Sequence, residues 1–234
     1  MSRFRLVIAL LCMALCEPDV AFSQQTVPGN SHDRRSVSTV TPIFSQLVKF
    51  NFPGIFNVAP AYEKTNNFAK FYIEEHVLPG ETVDDWTQLL TITGTENVVV
   101  SHPDLTPKDY VLTMTNLFYK ACPSSFLGKE IYEGNLNGLA TFAVVASCGA
   151  SPLKKGAESE TALIIAIKGE KDFYTVQWAQ RGKPSKTPIN IDVDMWKKRM
   201  ENLMPVKLCP IIPGEPAPYP SCANEKRSDR GASN

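Results

Sequence analysis

The alternation of apolar and polar positions is most regular between Phe68 and Thr93. Ala69, Phe71, Ile73 and Val77 recur at period two on one side, interrupted by Glu75, while Lys70, Glu74 and His76 take the other. Successive side chains of a strand point to opposite faces, so the pattern predicts a half-buried strand. Pro79-Gly80 breaks it, Thr82 and Asp85 are spaced to cap a single helical turn carrying Trp86 inward, and Leu90 and Ile92 resume a strand. Upstream, Val48, Phe50 and Phe52 alternate with Lys49 and Asn51, which predicts a first strand ended by Pro53-Gly54. The run Val98-Val99-Val100 fits either a strand extension or the approach to a helix.

The period then changes. Thr106-Pro107-Lys108-Asp109 is a helix start, with Thr106 as N-cap, proline in the first helical position and Asp109 able to bond back. Tyr110, Met114, Leu117, Phe118 and Ala121 share one face at helical spacing, and Pro123 stops the helix. A short strand is expected over Gly128–Gly134, a turn at Asn135-Leu136-Asn137-Gly138, and a central strand over Leu139–Ser147, whose apolar residues fall on both faces. After a polar loop at 151–160, Thr161–Ile167 reads as a second buried strand. Gly169–Asp172 is a hairpin connection, and Phe173–Gln180 returns with Tyr174, Val176 and Trp178 on one face and Thr175 and Gln177 on the other. Asp192 caps a last helix with a Val193, Trp196, Met200 and Leu203 stripe opposed by Lys197, Lys198 and Glu201; Pro205 ends it.

These elements suffice for one domain, 43–208, in a chain of 234 residues. Arg3 and Arg5, the apolar run Leu6 to Cys16, and Ala21-Phe22-Ser23 form a signal-peptide pattern over 1–23 with cleavage expected after Ser23, which directs the chain to the periplasm or medium. A lipoprotein signal is disfavoured because Leu11 precedes Cys12 and Leu15 precedes Cys16. Polar residues 24–42 read as a flexible leader, and 209–234 as a proline-rich disulfide loop followed by a disordered charged tail, neither adding to the core. No second apolar run has the length of a membrane span. The mature chain retains Cys122, Cys148, Cys209 and Cys222, an even number that in an oxidising compartment predicts two disulfides from three possible connectivities. Cys122–Cys148 and Cys209–Cys222 are favoured, each contributing about 3 kcal/mol by restricting the unfolded chain.

Lysine plus arginine equals aspartate plus glutamate at 24 each, which removes the global charge excess that nucleic-acid binding would call for. The three histidines, His32, His76 and His102, are read as solvated and lack the spacing of a zinc site. Ser124, Ser125 and Ser147 have no nucleophile motif around them, and a Cys122 thiolate paired with His76 or His102 yields to an oxidised Cys122. Glu74 and Glu75 must point to opposite faces, and Asp84-Asp85 fits a helix start. Lys154-Lys155 reads as loop, Lys197-Lys198-Arg199 as the wet side of a helix, and Trp86, Trp178 and Trp196 as core. No cofactor, metal or catalytic residue is assigned.

Hairpin connections rather than alternating crossovers predict an α+β fold, a twisted antiparallel β-sheet with helices packed on it. The turn Pro-Gly-Glu-Thr-Val-Asp-Asp-Trp-Thr from Pro79 to Thr87, the mid-chain helix, the hairpin and the closing amphipathic helix together resemble the PsbP-like fold of small exported bacterial proteins, over about residues 44–208. That resemblance implies a non-catalytic binding or assembly role and brings no catalytic motif with it. The expected function is therefore an exported binding or assembly module of the bacterial cell envelope whose partner is a protein or envelope component. The alternative is a small exported hydrolase whose residues meet only in space.

Overall fold

The computed structural model describes residues 36–66, 68, 70–151 and 158–223. In chain order the first half contains β1 (Val37–Ile43), β2 (Gln46–Phe52), β3 (Tyr62–Asn66), β4 (Phe71–Val77), β5 (Gln88–Thr95), α1 (Val98–Ser101) and α2 (Pro107–Ala121). The second contains β6 (Phe126–Leu136), β7 (Leu139–Ser151), β8 (Glu158–Lys168), β9 (Phe173–Gly182), α3 (Val193–Leu203), β10 (Lys207–Pro210) and α4 (Pro220–Ala223). Seven strands form an antiparallel sheet in the order β3-β4-β5-β9-β8-β7-β6, and a smaller antiparallel sheet runs β1-β2-β10. Sheets dominate and helices are few, an α+β arrangement.

The central strands read as continuous apolar runs because both of their faces are covered. Leu163, Ile165 and Ile167 of β8 point to one face, beside Tyr174, Val176 and Trp178 of β9. That face packs against Val48, Phe50 and Phe52 of β2, Phe56 of the following loop, and Trp196, Met200 and Leu203 of α3. Ala162, Ile164 and Ala166 point the other way and meet Tyr110 and Val111 of α2. The layers are therefore a small sheet with α3, the large sheet, and α2.

Local chemistry fixes the helices in place. Thr106 Oγ1 accepts from Asp109 N at 3.1 Å while Asp109 Oδ2 accepts from Thr106 N at 3.2 Å, the reciprocal capping box expected at the start of α2. Cys122, just past its end, pairs with Cys148 on β7, and Cys209 pairs with Cys222; the Cα separations are 5.7 and 5.8 Å. Asp192 Oδ1 caps α3 by accepting from Met195 N at 3.0 Å. The β6–β7 turn has Asn137 at φ 53° and Gly138 at φ 83°, the pair of left-handed residues that a tight hairpin requires.

Asp172, fully buried in the β8–β9 connection, joins the layers. Its Oδ2 accepts from Ser45 N at 3.1 Å, from Ser45 Oγ and from Tyr174 OH at 3.0 Å, while its Oδ1 accepts from Asn97 N at 2.7 Å. Gly94 lets the β1–β2 turn settle onto β5: a Cβ there would lie 2.4 Å from Ile43 Cγ2.

Several expectations are corrected. The leader expected to extend to residue 42 contains β1, and the boundary expected between 208 and 209 falls inside β10. The stretch from 209 is not outside the core, because Cys222 is buried and Lys49, 3 % exposed, donates to Ala223 O at 2.7 Å. The helical turn expected at Thr82–Asp85 is instead a bend in which those two residues exchange backbone hydrogen bonds at 3.1 Å, although Trp86 does point inward. On β4, Tyr72 and His76 are buried on the face opposite to that of Phe71 and Ile73. The short strand expected at Gly128–Gly134 extends over Phe126–Leu136, and β7 lies one strand from the sheet edge rather than at its centre; of the two readings left open for Val98-Val99-Val100, the helical one holds, in the short α1. The signal peptide, the first part of the leader with His32, Lys154-Lys155, and the tail from 224 lie outside the described residues. Among the described residues no helix is long and apolar enough to cross a membrane.

Candidate functional site

The amphipathic pattern of α2 buries Tyr110, Val111 and Thr115 against the sheet and leaves its outer face to carry two large apolar side chains, Leu112 and Tyr119, 53 % and 51 % exposed. Between that face and the edge strand β6 lies an open groove of about 480 Å³, lined by Asp109, Leu112, Thr113, Asn116, Tyr119 and Phe126. Tyr119 and Phe126 meet edge-on with ring centroids 5.8 Å apart. Asp109 is held below the ordinary carboxyl range by the Thr106 side-chain and backbone hydrogen bonds of the capping box, so its oxygens serve the helix. The lining offers amide, hydroxyl and apolar contacts, a composition suited to holding a chain or ligand.

α2 lies over β6, β7 and β8, and a second group of side chains gathers beyond it on the same sheet face. Arg181 of β9 stacks over Trp86 at 3.7 Å from the ring centroid, and its Nε lies 3.6 Å from Glu158 Oε2 and 4.0 Å from Glu160 Oε2. Glu75 of β4 completes the group. Burial pushes the Glu75 carboxyl up, the Glu160 charge adds to the effect and Arg181 opposes it; burial likewise raises Glu160, against Arg181 and with Glu158. Glu158 Oε2 and Arg181 Nη1 are both shielded from solvent and have no hydrogen-bond partner among the described residues.

His76, expected to be solvated, is only 2 % exposed. Its Nδ1 lies 3.0 Å from Asn57 O, its Nε2 lies 2.7 Å from Glu74 Oε1, and the ring of Phe52 packs edge-on at 4.8 Å. Tyr72 OH donates to Glu74 Oε2 at 2.7 Å. Burial acts to raise the Glu74 carboxyl, but the hydrogen bonds from His76 and Tyr72 and the His76 charge outweigh it and hold the carboxyl low. Burial, with Glu74 and Glu63 adding, pushes the Tyr72 phenol up. Every polar atom of the pair is thus spent internally, and the network pins the loop at Asn57 to β4.

Other residues singled out from the sequence are dispersed. Cys122 sits on the α2 side of the sheet while His76 lies on the opposite face, and His102 is exposed. Ser147 is fully buried against Thr161 Oγ1 at 2.9 Å, Ser125 is buried and Ser124 exposed. Glu74 and Glu75 do point to opposite faces, and Asp84 and Asp85 are exposed in the turn beside Trp86. Trp86, Trp178 and Trp196 are buried. Arg199 is not on the wet side of α3: its guanidinium lies 5.1 Å from the Trp178 ring and 4.4 Å from the Trp196 ring, and burial lowers its affinity for its proton. Among the described residues no three His, Cys, Asp or Glu side chains converge to hold a metal ion. The grouping of Glu160 with Arg181 does have a sequence signal, because counting outward from the closing pair Lys168–Phe173 of the β8–β9 hairpin sets the two residues opposite each other.

No protein-family model matches the chain, and no curated protein does. Among solved structures it is similar to the Ran-binding protein Mog1p of Saccharomyces cerevisiae, at 10 % identity and a TM-score of 0.38, over 73 % of this chain and 86 % of that one. A Mog1 mutant aligns at the same identity and TM-score over 72 % and 86 %. A likeness this slight carries no argument about function.

Proposed function

We propose that the protein is an exported, non-catalytic binding or assembly module of a bacterial cell envelope, and that it docks a protein partner in the groove beside α2. The observation that carries this reading is the pair Leu112 and Tyr119, each about half exposed on the outer face of an otherwise well-packed helix and bordering Phe126. Covering the half of each side chain that stands exposed stabilises a complex by roughly 1 kcal/mol apiece, about half the gain from burying a fully exposed one. The signal-peptide pattern ending at Ser23 and two cysteine pairs within disulfide reach support export. The element order, with α2 mid-chain, the β8–β9 hairpin and the closing α3, supports a PsbP-like reading of the fold.

The reading is tested by comparing native envelope extracts containing the wild type and a Leu112→Asp, Tyr119→Asp variant. The wild type is expected to migrate in a complex larger than the monomer, and the variant as monomer with an unchanged melting temperature. A complex that persists in the variant would place the docking surface elsewhere. Intact mass beginning at Gln24 with no free thiol is the accompanying expectation for export.

A further inference from the structure

β6 is one edge of the seven-stranded sheet, and among the described residues no strand pairs with its outer side. In an antiparallel ladder, hydrogen-bonded and non-hydrogen-bonded pairs alternate, so backbone groups of successive residues point to opposite sides. Just before β6, Gly149 N donates to Ser125 O at 3.3 Å, which makes that pair a hydrogen-bonded one, and the register carries the alternation on to Leu127–Ser147 and Lys129–Val145. Phe126, Gly128 and Glu130 therefore turn their N–H and C=O outward, to the free edge. The same three residues stand opposite Cys148, Ala146 and Val144 on the α2 face of the sheet, where Glu130 reaches Lys108 of α2. The free edge thus runs along the groove beside α2.

The two ends of the groove differ. At one, Lys108 bridges to Glu130 and Glu133 at 3.1 and 2.6 Å and closes α2 onto β6, and Thr106 occupies Asp109 Oδ2. At the other, Gly128 is exposed and bare. A Cβ there would meet nothing nearer than the Phe126 ring at 3.4 Å, so the fold does not require glycine, and its bareness leaves space for a second backbone to approach. Thr113, Asn116 and Lys120 follow one another along α2 at spacings of three and four, which puts the exposed Lys120 at this open end. The groove therefore offers a row of outward backbone groups, an apolar wall of Leu112, Tyr119 and Phe126, and a positive charge at one end. A helical ligand keeps its own backbone bonded internally and would leave the edge unmet, whereas an extended chain meets it.

We propose that the groove takes an extended segment of a partner polypeptide, added antiparallel to β6 as a further strand of the large sheet, with alternate apolar side chains against Leu112 and Tyr119 and an acidic residue beside Lys120. This rests on the reading of the groove as a docking surface, and adds the form and the charge of what docks there. β6 runs away from Lys120, so the acidic residue belongs at the C-terminal end of the added segment. The bulge between Glu130 and Tyr132 interrupts the regular edge and confines the added strand to Phe126–Glu130.

The test selects phage-displayed random peptides of about seven residues on the full exported protein, then titrates an enriched peptide into the isotopically labelled protein while NMR follows amide exchange and chemical shifts. Enriched peptides are expected to alternate apolar and polar residues and to carry Asp or Glu towards the C-terminal end. Binding is expected to protect the Phe126, Gly128 and Glu130 amides and to shift Leu112 and Tyr119. Methylating a peptide nitrogen that faces β6 is expected to weaken binding about five- to tenfold, and methylating the next nitrogen to leave it unchanged. Lys120→Glu is expected to weaken binding, and lysine in place of the acidic peptide residue to restore it. If Leu112 and Tyr119 shift while those three amides stay unprotected, or if the bound peptide is helical, the added strand is overturned and the groove reading stands. If nothing is enriched beyond what a Leu112→Asp, Tyr119→Asp variant selects, both fail. Protection that appears without peptide and rises with protein concentration would assign the edge to a second copy of the chain and overturn the proposal.

Discussion

Replacing Asp172 with asparagine changes no volume and tests whether one carboxylate holds the layers together. The carboxylate receives four donors, with Asn97 N on Oδ1 and Ser45 N, Ser45 Oγ and Tyr174 OH on Oδ2. An asparagine has one acceptor oxygen. With that oxygen in the place of Oδ2, its NH2 faces the Asn97 N–H, donor against donor, and one bond is lost. Leaving a buried donor unmet is unfavourable by about 1–3 kcal/mol, and the three remaining bonds drop from charge-assisted to neutral strength. The sum is about 3–4 kcal/mol, comparable to breaking a buried ion pair. For a domain of this size that corresponds to a fall of about 10 °C in melting temperature. Thermal and urea unfolding, followed by the fluorescence of the buried tryptophans, measure it. A fall below about 2 °C would refute the claim that Asp172 joins the β1–β2 turn and the start of α1 to the large sheet.

Glu75 and Glu160 on one side, and Glu74 on the other, predict opposite pH dependences. Glu75 and Glu160 have raised folded-state pKa values, so the folded protein holds more protons above the ordinary glutamate range, and stability falls as pH rises through that window. Glu74 is lowered, so its contribution is present above the ordinary range and is lost as pH falls through its folded value. Melting curves against pH are expected to flatten just above the ordinary glutamate range in Glu75→Gln, Glu160→Gln and below it in Glu74→Gln. Gly94→Ala is expected to destabilise by about 1–3 kcal/mol in urea titrations, because its Cβ would meet Ile43 Cγ2 at 2.4 Å. Replacing Cys122 and Cys148 together by serine is expected to remove about 3 kcal/mol, since the bridge closes a separation of 26 residues. Lys49→Met is expected to speed proteolysis within 209–223 by removing the bond to Ala223 O, while cleavage elsewhere stays unchanged.

Where a residue's environment is set by its neighbours in sequence, the chain is readable. The Thr106–Asp109 capping box, the Asn137-Gly138 turn, the β8–β9 hairpin and the Trp196 stripe of α3 all lie where their spacing puts them. Edge strands are not readable in this way. The Tyr-Glu-Lys-Thr-Asn of β3 is exposed throughout, and β1 is buried only at Ile43, so neither has an apolar face to show. The phase of β4 was obscure because both faces of the sheet receive cover. Phe52 and the loop at Asn57 enclose His76 from positions roughly twenty residues away, and only the tertiary fold brings them there. The side-chain groups show the same division: the amphipathic pattern of α2 is legible, but the gathering of Glu75, Glu158 and Glu160 about Arg181 needs four strands, β4, β5, β9 and β8, in register. The burial of Lys49 depends on α4 folding back from the far end of the described chain.

The most direct test of the binding account is site-specific photo-crosslinking in intact cells, with a benzophenone amino acid at Leu112 or Tyr119 and, as comparison, at Lys197 on the exposed face of α3. The account predicts a discrete protein adduct of the same mass from both groove positions and none from Lys197. Adducts at all three positions alike, or at Lys197 alone, would contradict it.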